Sequence, residues 1–133
     1  PAKPAQATSS SPSAPIQLPL GVLVQATVFF AFNGYGVAVP MRRLLDREIL
    51  RKVGKQRVDV RIEGHSDPLG ERDYNRRLSK LRALNVRFYL LQQGLKVRRI
   101  VLRALGSTQA SGGGNDARAQ NRRVIVRVRK VRR

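Results

Sequence analysis

The chain has 133 residues, 41% of them hydrophobic, and its 27 lysines and arginines against 8 acids give a formal net charge of +19 at pH 7. This apolar content predicts one folded domain with a single core rather than a disordered basic tail. With no cysteine and one histidine, the chain excludes a disulfide framework and a multi-histidine or thiolate metal site, so we expect neither a metal nor another cofactor.

The strong positive charge predicts an anionic partner, which nucleic acid, an anionic lipid or an acidic cell-wall polymer would each satisfy. Charge alone does not choose among them. No run of 18 or more apolar residues occurs, so we expect no transmembrane segment in this chain. The chain begins at Pro1 without a signal-peptide pattern, and we expect any export signal or lipid anchor to lie upstream.

The elements follow one another in a regular order. Residues 1–20 are rich in Pro, Ala and Ser and predict a linker or arm, which leaves residues 21–133 as the domain. Apolar alternation and helical spacing then predict strands over residues 22–32, 57–63, 99–105 and 122–131 and helices over residues 40–53 and 72–93, with a Gly/Ser/Asn-rich loop over 107–120. The order β-α-β-α-β-β predicts an α/β fold of the α+β sandwich type, in which two helices cover one face of a mixed four-stranded sheet.

Arg82 stands out on the long predicted helix. A helix turns about 100° per residue, which places Arg82 opposite the basic stripe of Arg76, Lys80 and Arg87 and therefore on the buried side. A buried guanidinium needs an anion or several acceptors. Asp67, in the turn after the second strand, is the nearest candidate anion by position. Either the two form an internal salt bridge, or both face an open pocket and bind a ligand that carries both charges.

Several motifs of the chain carry a family pattern. The Gly-His-Ser-Asp turn at residues 64–67, the segments YNRRLSKLRALNV and YLLQQG, and the ending RAQNRRVIV resemble the OmpA-like peptidoglycan-binding domain found in OmpA, Pal and MotB proteins, over about residues 22–130. The resemblance implies a periplasmic domain, associated with the outer membrane or cell wall. It implies non-covalent binding of diaminopimelate in the peptide stem of peptidoglycan, and no enzymatic activity.

The resemblance also implies a set of binding residues. Asp67 would accept hydrogen bonds from the ammonium of diaminopimelate, and Arg82 would bind its carboxylate through a planar fork. Arg122 would be a second carboxylate contact. Asn33 would line the pocket, Asn75 would orient the loop or the ligand, and Leu69 would contact the ligand through its backbone. His65 is interpreted as a turn residue that supports the loop.

The implied partners are peptidoglycan and other subunits of an envelope assembly, such as a secretion system. One alternative is a structural subunit that has lost wall binding, because the chain is unusually basic and has Ala31 and Asn33 where the family often has aspartates. A second is a nucleic-acid-binding protein with a basic tail over residues 118–133, which is not expected because Phe29, Phe30, Phe32 and Tyr89 lie at core-like positions rather than among the bases. The third, a wall hydrolase using Asp67, His65 and Ser66, lacks a second acid.

Overall fold

The computed structural model describes residues 21–108 and 114–131. The predicted arm over residues 1–20 and the end of the basic tail lie outside the described residues. Within these residues, four strands and three helical segments follow one another: β1 (Val22–Phe29), α1 (Val39–Leu45, continued by a π-helical turn over Asp46–Leu50 and a last turn over Arg51–Val53), β2 (Val58–Gly64), α2 (Arg72–Gln92), β3 (Val97–Ala104), α3 (Gly114–Asn121) and β4 (Arg123–Lys130).

The strands form one mixed sheet in the order β1-β4-β2-β3. Strand β4 lies antiparallel to both β1 and β2, with Val128 opposite both Val24 and Val60, whereas β2 and β3 are parallel, with Ile62 opposite Leu102. The arrangement confirms the predicted four-stranded mixed sheet.

The described hydrophobic core lies between one face of this sheet and helices α1 and α2. Alternate residues of the strands point into it, and Val28, Val58, Ile62, Val124, Val126 and Val128 are fully buried. Helix α1 contributes Leu45 and Ile49, and α2 contributes Ala83, Val86 and Leu90 to the same apolar cluster. The alternation of β4 and the helical spacing of α2 are therefore confirmed, because each pattern places its apolar side towards this core.

The opposite sheet face is open and rich in arginine. Asp59, Arg61 and Glu63 of β2 alternate with its buried residues, and the facing positions of β3 and β4 include Arg99, Arg103, Arg127 and Arg129. The acids there are neutralised: Arg98 lies 2.6 Å from the Asp59 carboxylate and Arg127 lies 2.7 Å from that of Glu63.

Three expectations from the sequence were wrong. The predicted loop over residues 107–120 contains helix α3, so the order is β-α-β-α-β-α-β. The prediction gave more weight to the glycines and serines of this segment than to the helix-forming Ala, Arg and Gln residues that follow them. Residues 109–113 of that loop are outside the described part of the chain. Strand β1 ends at Phe29, not at residue 32. Phe29 and Phe32 are exposed, at 46% and 56%, because the chain leaves the sheet here and only Phe30 turns into the core.

Close packing between α2 and β2 brings the end of β2 against the helix. Gly64 is the last residue of β2, and a Cβ atom there would collide with the carbonyl oxygen of Ser79. The hydroxyl of Ser79 also accepts a hydrogen bond of 2.9 Å from the amide of Gly106, which follows β3. These contacts place the turn after β2 beneath the middle of α2. In the described parts of the chain, no helix is long and apolar enough to cross a membrane.

Candidate functional site

The turn after β2 is held by main-chain hydrogen bonds on both sides. The amide of His65 donates to the carbonyl of Arg123 at 2.8 Å, and the amide of Ser66 donates to that of Gly106 at 2.8 Å. Asp67 follows in this turn, with only 5% of its surface exposed, and its Oδ1 accepts a hydrogen bond of 2.9 Å from the amide of Leu69. The carboxylate therefore shapes its own loop in the manner of an Asx turn.

Arg82 is completely buried, as the helical geometry predicts. Its guanidinium donates hydrogen bonds to three main-chain carbonyls: those of Gly34 at 2.7 Å, His65 at 3.2 Å and Ala31 at 3.2 Å. Its Cζ also lies 5.3 Å from the centre of the Phe30 ring, within cation–π range. Arg82 thus joins α2 to the turn after β2 and to the loop after β1.

Burial, assisted by the nearby charge of Arg122 and opposed by that of Asp67, lowers the pKa of Arg82 to about 10. Arg82 remains protonated at neutral pH. The guanidinium has five N–H groups and donates three of them to carbonyls, which leaves two for a group bound in the inner cavity that Arg82 lines.

The ion pair of Asp67 is formed with Arg122. Nη1 of Arg122 lies 3.6 Å from Oδ2 of Asp67, and its Nε donates a hydrogen bond of 2.9 Å to the carbonyl of Phe30. The expected alternative of a salt bridge between Asp67 and Arg82 is therefore replaced by one with Arg122. Arg122 leaves 18% of its side chain exposed, so unlike the buried Arg82 it reaches the surface.

The three remaining predicted site residues organise the rim. Asn75 is buried and donates a hydrogen bond of 3.1 Å to the carbonyl of Leu69. Leu69 itself is 53% exposed. Asn33 adopts a left-handed conformation with φ of 57°, which Asn tolerates better than most residues. Its Oδ1 accepts a hydrogen bond of 3.3 Å from the Tyr74 hydroxyl.

These side chains surround a small inner cavity and a larger outer cleft. The inner cavity holds about 10 Å³, the space of one water molecule, and is lined by Phe32, Asn33, Ser66, Asp67, Leu69, Asn75, Leu78 and Arg82. The outer cleft holds about 350 Å³ and is lined by Phe32, Leu69, Arg118 and Arg122. Every predicted site residue lines one of the two spaces. Phe32 and Leu69 line both, so they separate the cavity from the cleft.

Sequence reasoning missed several lining residues. Phe32 was placed in a strand. Arg118 was assigned to a loop and to the basic tail over residues 118–133, and not to this site. Ser66 lies in the singled-out turn, and its buried hydroxyl faces the cavity with no hydrogen-bond partner among the described residues. Tyr74 on α2 was also missed, although it fixes Asn33.

His65 is buried beside the site, with 1% of its surface exposed. Burial, assisted by the charge of Arg123, lowers the pKa of His65 to about 4, so its ring is neutral at neutral pH. Neither ring nitrogen has a hydrogen-bond partner among the described residues, and His65 and Ser66 therefore do not form the bonded pair that activation of a nucleophile requires. Within residues 21–108 and 114–131, no three acidic or histidine side chains are grouped closely enough to hold a metal ion.

Comparison with known proteins gives consistent results. The sequence matches the OmpA family over residues 29–123. It is 33% identical to the peptidoglycan-associated lipoprotein of Pseudomonas putida over 105 residues, which cover 76% of this chain and 61% of that protein. The chain spans about 60% of the length of this lipoprotein and of the outer membrane protein A of Bordetella avium.

Two solved structures support the same fold. The peptidoglycan-associated lipoprotein from Burkholderia pseudomallei superimposes with a TM-score of 0.67 at 28% identity, covering 77% of this chain and 89% of that one. The cell wall anchor of the type VI secretion system from Pseudomonas aeruginosa superimposes with a TM-score of 0.56 at 25% identity, covering 84% of this chain and 89% of that one.

Proposed function

The chain belongs to the OmpA family, and from this premise we propose that its domain binds peptidoglycan non-covalently, by gripping diaminopimelate at the end of β2. The relatives reported above are named as peptidoglycan-associated lipoproteins and a cell wall anchor. In this proposal the domain works in the periplasm and ties an outer-membrane or envelope-spanning assembly, such as a secretion system, to the wall. It acts as a binding module and not as an enzyme.

The observation that carries the proposal is the convergence of Asp67, Arg82 and Arg122 around one cavity and its adjoining cleft. Diaminopimelate presents an ammonium and a carboxylate on one carbon. In this proposal Asp67 accepts from the ammonium through Oδ2, since the amide of Leu69 occupies Oδ1 while Oδ2 has, among the described residues, the long contact to Arg122. Arg122 and the two unused N–H groups of Arg82 can then donate to the carboxylate.

The inner cavity is too small to hold the ligand without a movement of side chains. A volume of about 10 Å³ is far below the ~300 Å³ at which ligand pockets begin. The ligand therefore enters from the outer cleft, and Phe32 and Leu69 must move apart to admit it. Both side chains are more than half exposed, so their movement disturbs little packing.

Retention on purified cell-wall sacculi tests the proposal, with wild type compared with Asp67→Asn. The matched control is Asp59→Asn, which removes a carboxylate from the open sheet face and leaves the cavity untouched. Because a chain of charge +19 adsorbs to anionic polymers, retention is measured in high salt, and free diaminopimelate is added as a competitor. Circular dichroism verifies that each variant is folded.

We expect Asp67→Asn to lower retention about tenfold or more, since it removes the charge that faces the ammonium. The Asp59→Asn control should bind as wild type does, and free diaminopimelate should release the protein. Equal retention of both variants, or no effect of diaminopimelate, would refute the pocket assignment.

The small volume of the inner cavity favours one second candidate, a structural subunit of an envelope complex that no longer binds the wall. In that case the pair of Asp67 and Arg122 is a permanent internal contact. The sacculus experiment separates the two, because the structural subunit would elute in high salt whether or not Asp67 is present. A steep salt dependence of binding to DNA, without retention on sacculi, would instead favour a nucleic-acid-binding protein.

A further inference from the structure

Helix α2 carries a second apolar stripe on the side that faces away from the sheet. Its buried side includes Asn75, Arg82 and Val86, whereas Phe88 is 64% exposed, Leu81 43%, Leu91 43% and Tyr74 41%. A soluble helix with one partner normally has polar residues on its outer side. The outer stripe therefore indicates a second partner for this helix.

The spacing of this outer stripe is that of a helix-docking seam. Its positions recur alternately three and four residues apart, as the a and d positions of a heptad do, in the order Tyr74, Arg77, Leu81, Leu84, Phe88 and Leu91. At a rise of 1.5 Å per residue the stripe is about 25 Å long. Such a seam, long and one side chain wide, fits another α-helix better than it fits a strand or a flat surface.

The charged residues beside the stripe determine which charge a partner helix should carry. Lys80 and Arg87 flank it on one side and Arg77 interrupts it, whereas Asp73 is the one acid of α2. Asn85 and Gln92 flank the other side. A second copy of α2 packed antiparallel would set Lys80 and Arg87 against the same residues, which is repulsive. A helix with acidic residues beside an apolar seam would form ion pairs instead.

We propose that the outer stripe of α2 is the docking site for an amphipathic helix of a partner protein, with Asp or Glu flanking its apolar a and d positions. The stripe begins next to the wall-binding site, because the hydroxyl of Tyr74 donates to Asn33 at the rim of the inner cavity. A partner helix bound here therefore lies alongside the proposed peptidoglycan site without entering it. Docking does not depend on wall binding.

Two synthetic peptides of three heptads test this proposal on the full chain. Both have leucine at a and d; one has glutamate at e and g, and the other has lysine there. Affinity is measured by fluorescence anisotropy for wild type, Leu81→Ser, Phe88→Ser and a control, Val39→Ser, which removes an equally exposed apolar residue at the start of α1. A charge-reversed variant, with Lys80→Glu and Arg87→Glu together, completes the set.

We expect the acidic peptide to bind wild type at least tenfold more tightly than the basic peptide, and each stripe variant to lose about tenfold in affinity. Val39→Ser should be unchanged, and the charge-reversed variant should prefer the basic peptide. Equal binding of the two peptides, or unchanged binding by Phe88→Ser, would overturn the proposal. So would a dimer of wild type in sedimentation that Phe88→Ser dissociates, since the occupant would then be a second copy.

Discussion

Replacing Arg82 with alanine is expected to destabilise the whole domain. The side chain is fully buried and is hydrogen-bonded to carbonyls of the loop after β1 and of the turn after β2. Alanine would leave the carbonyls of Ala31, Gly34 and His65 without this donor, and would remove the contact with the Phe30 ring. The loss therefore falls on three segments that the guanidinium holds together.

The magnitude follows from these contacts. Removing one partner from a buried charged network costs about 3–5 kcal/mol, because each group left behind is desolvated without a hydrogen bond. That is a large part of the roughly 5–15 kcal/mol by which a domain of this size is stable. At roughly 4 °C per kcal/mol for a domain of about 100 residues, the midpoint of thermal unfolding should fall by about 12–20 °C.

Urea unfolding followed by circular dichroism measures this effect, with Arg87→Ala as the matched control. Arg87 is an exposed arginine on the same helix, so its replacement should change the free energy of unfolding by less than about 0.5 kcal/mol. If Arg82→Ala and Arg87→Ala differ by less than 1 kcal/mol, the structural role assigned to Arg82 is wrong. Because loss of Arg82 would destabilise the fold itself, Asp67 is the more informative position for a sacculus experiment.

Two further predictions concern the same turn. Gly64→Ala should destabilise the domain by about 2 kcal/mol or more, because the added Cβ would collide with the carbonyl of Ser79. The control is Gly36→Ala, whose added Cβ would meet no neighbouring group within 4 Å, so it should be neutral in the same urea titration. The pKa of His65 is lowered from 6.5 to about 4 in the folded chain. Between these two values the unfolded chain binds a proton that the folded chain does not, so the free energy of unfolding decreases as the pH decreases. Between pH 7 and pH 5 we expect a loss of about 2 kcal/mol in wild type, which His65→Gln should largely abolish; an equal loss in both proteins would contradict the assignment.

Much of the fold follows from periodicity in the sequence. The alternation of Val124, Val126 and Val128 identifies a strand with one buried face, and the structure buries all three completely. The angular position of Arg82 on α2 likewise separates it from the basic surface. Both inferences succeed because the spacing of side chains along a strand or helix is fixed by backbone geometry.

The partners of the charged groups could not be predicted in the same way. Arg82 donates to main-chain carbonyls. Every residue has such a carbonyl, so the residue types in the sequence do not show which ones accept these hydrogen bonds. The pairing of Asp67 with Arg122 depends on β4 lying next to β2, a sheet order that local patterns do not specify. Phe32 was misassigned because an apolar run does not reveal where the strand leaves the sheet.

The balance of charge around the cavity supports the proposed ligand, which carries both an ammonium and a carboxylate. Arg82 and Arg122 place two guanidinium groups beside the single carboxylate of Asp67, and the charge of Arg122 is among the causes that lower the pKa of Arg82. A ligand carboxylate would supply the missing negative charge. A ligand ammonium could then replace Arg122 at Oδ2 of Asp67, which frees Arg122 to turn towards that carboxylate. Binding would thus exchange one long internal ion pair for contacts in which each charge has its own partner.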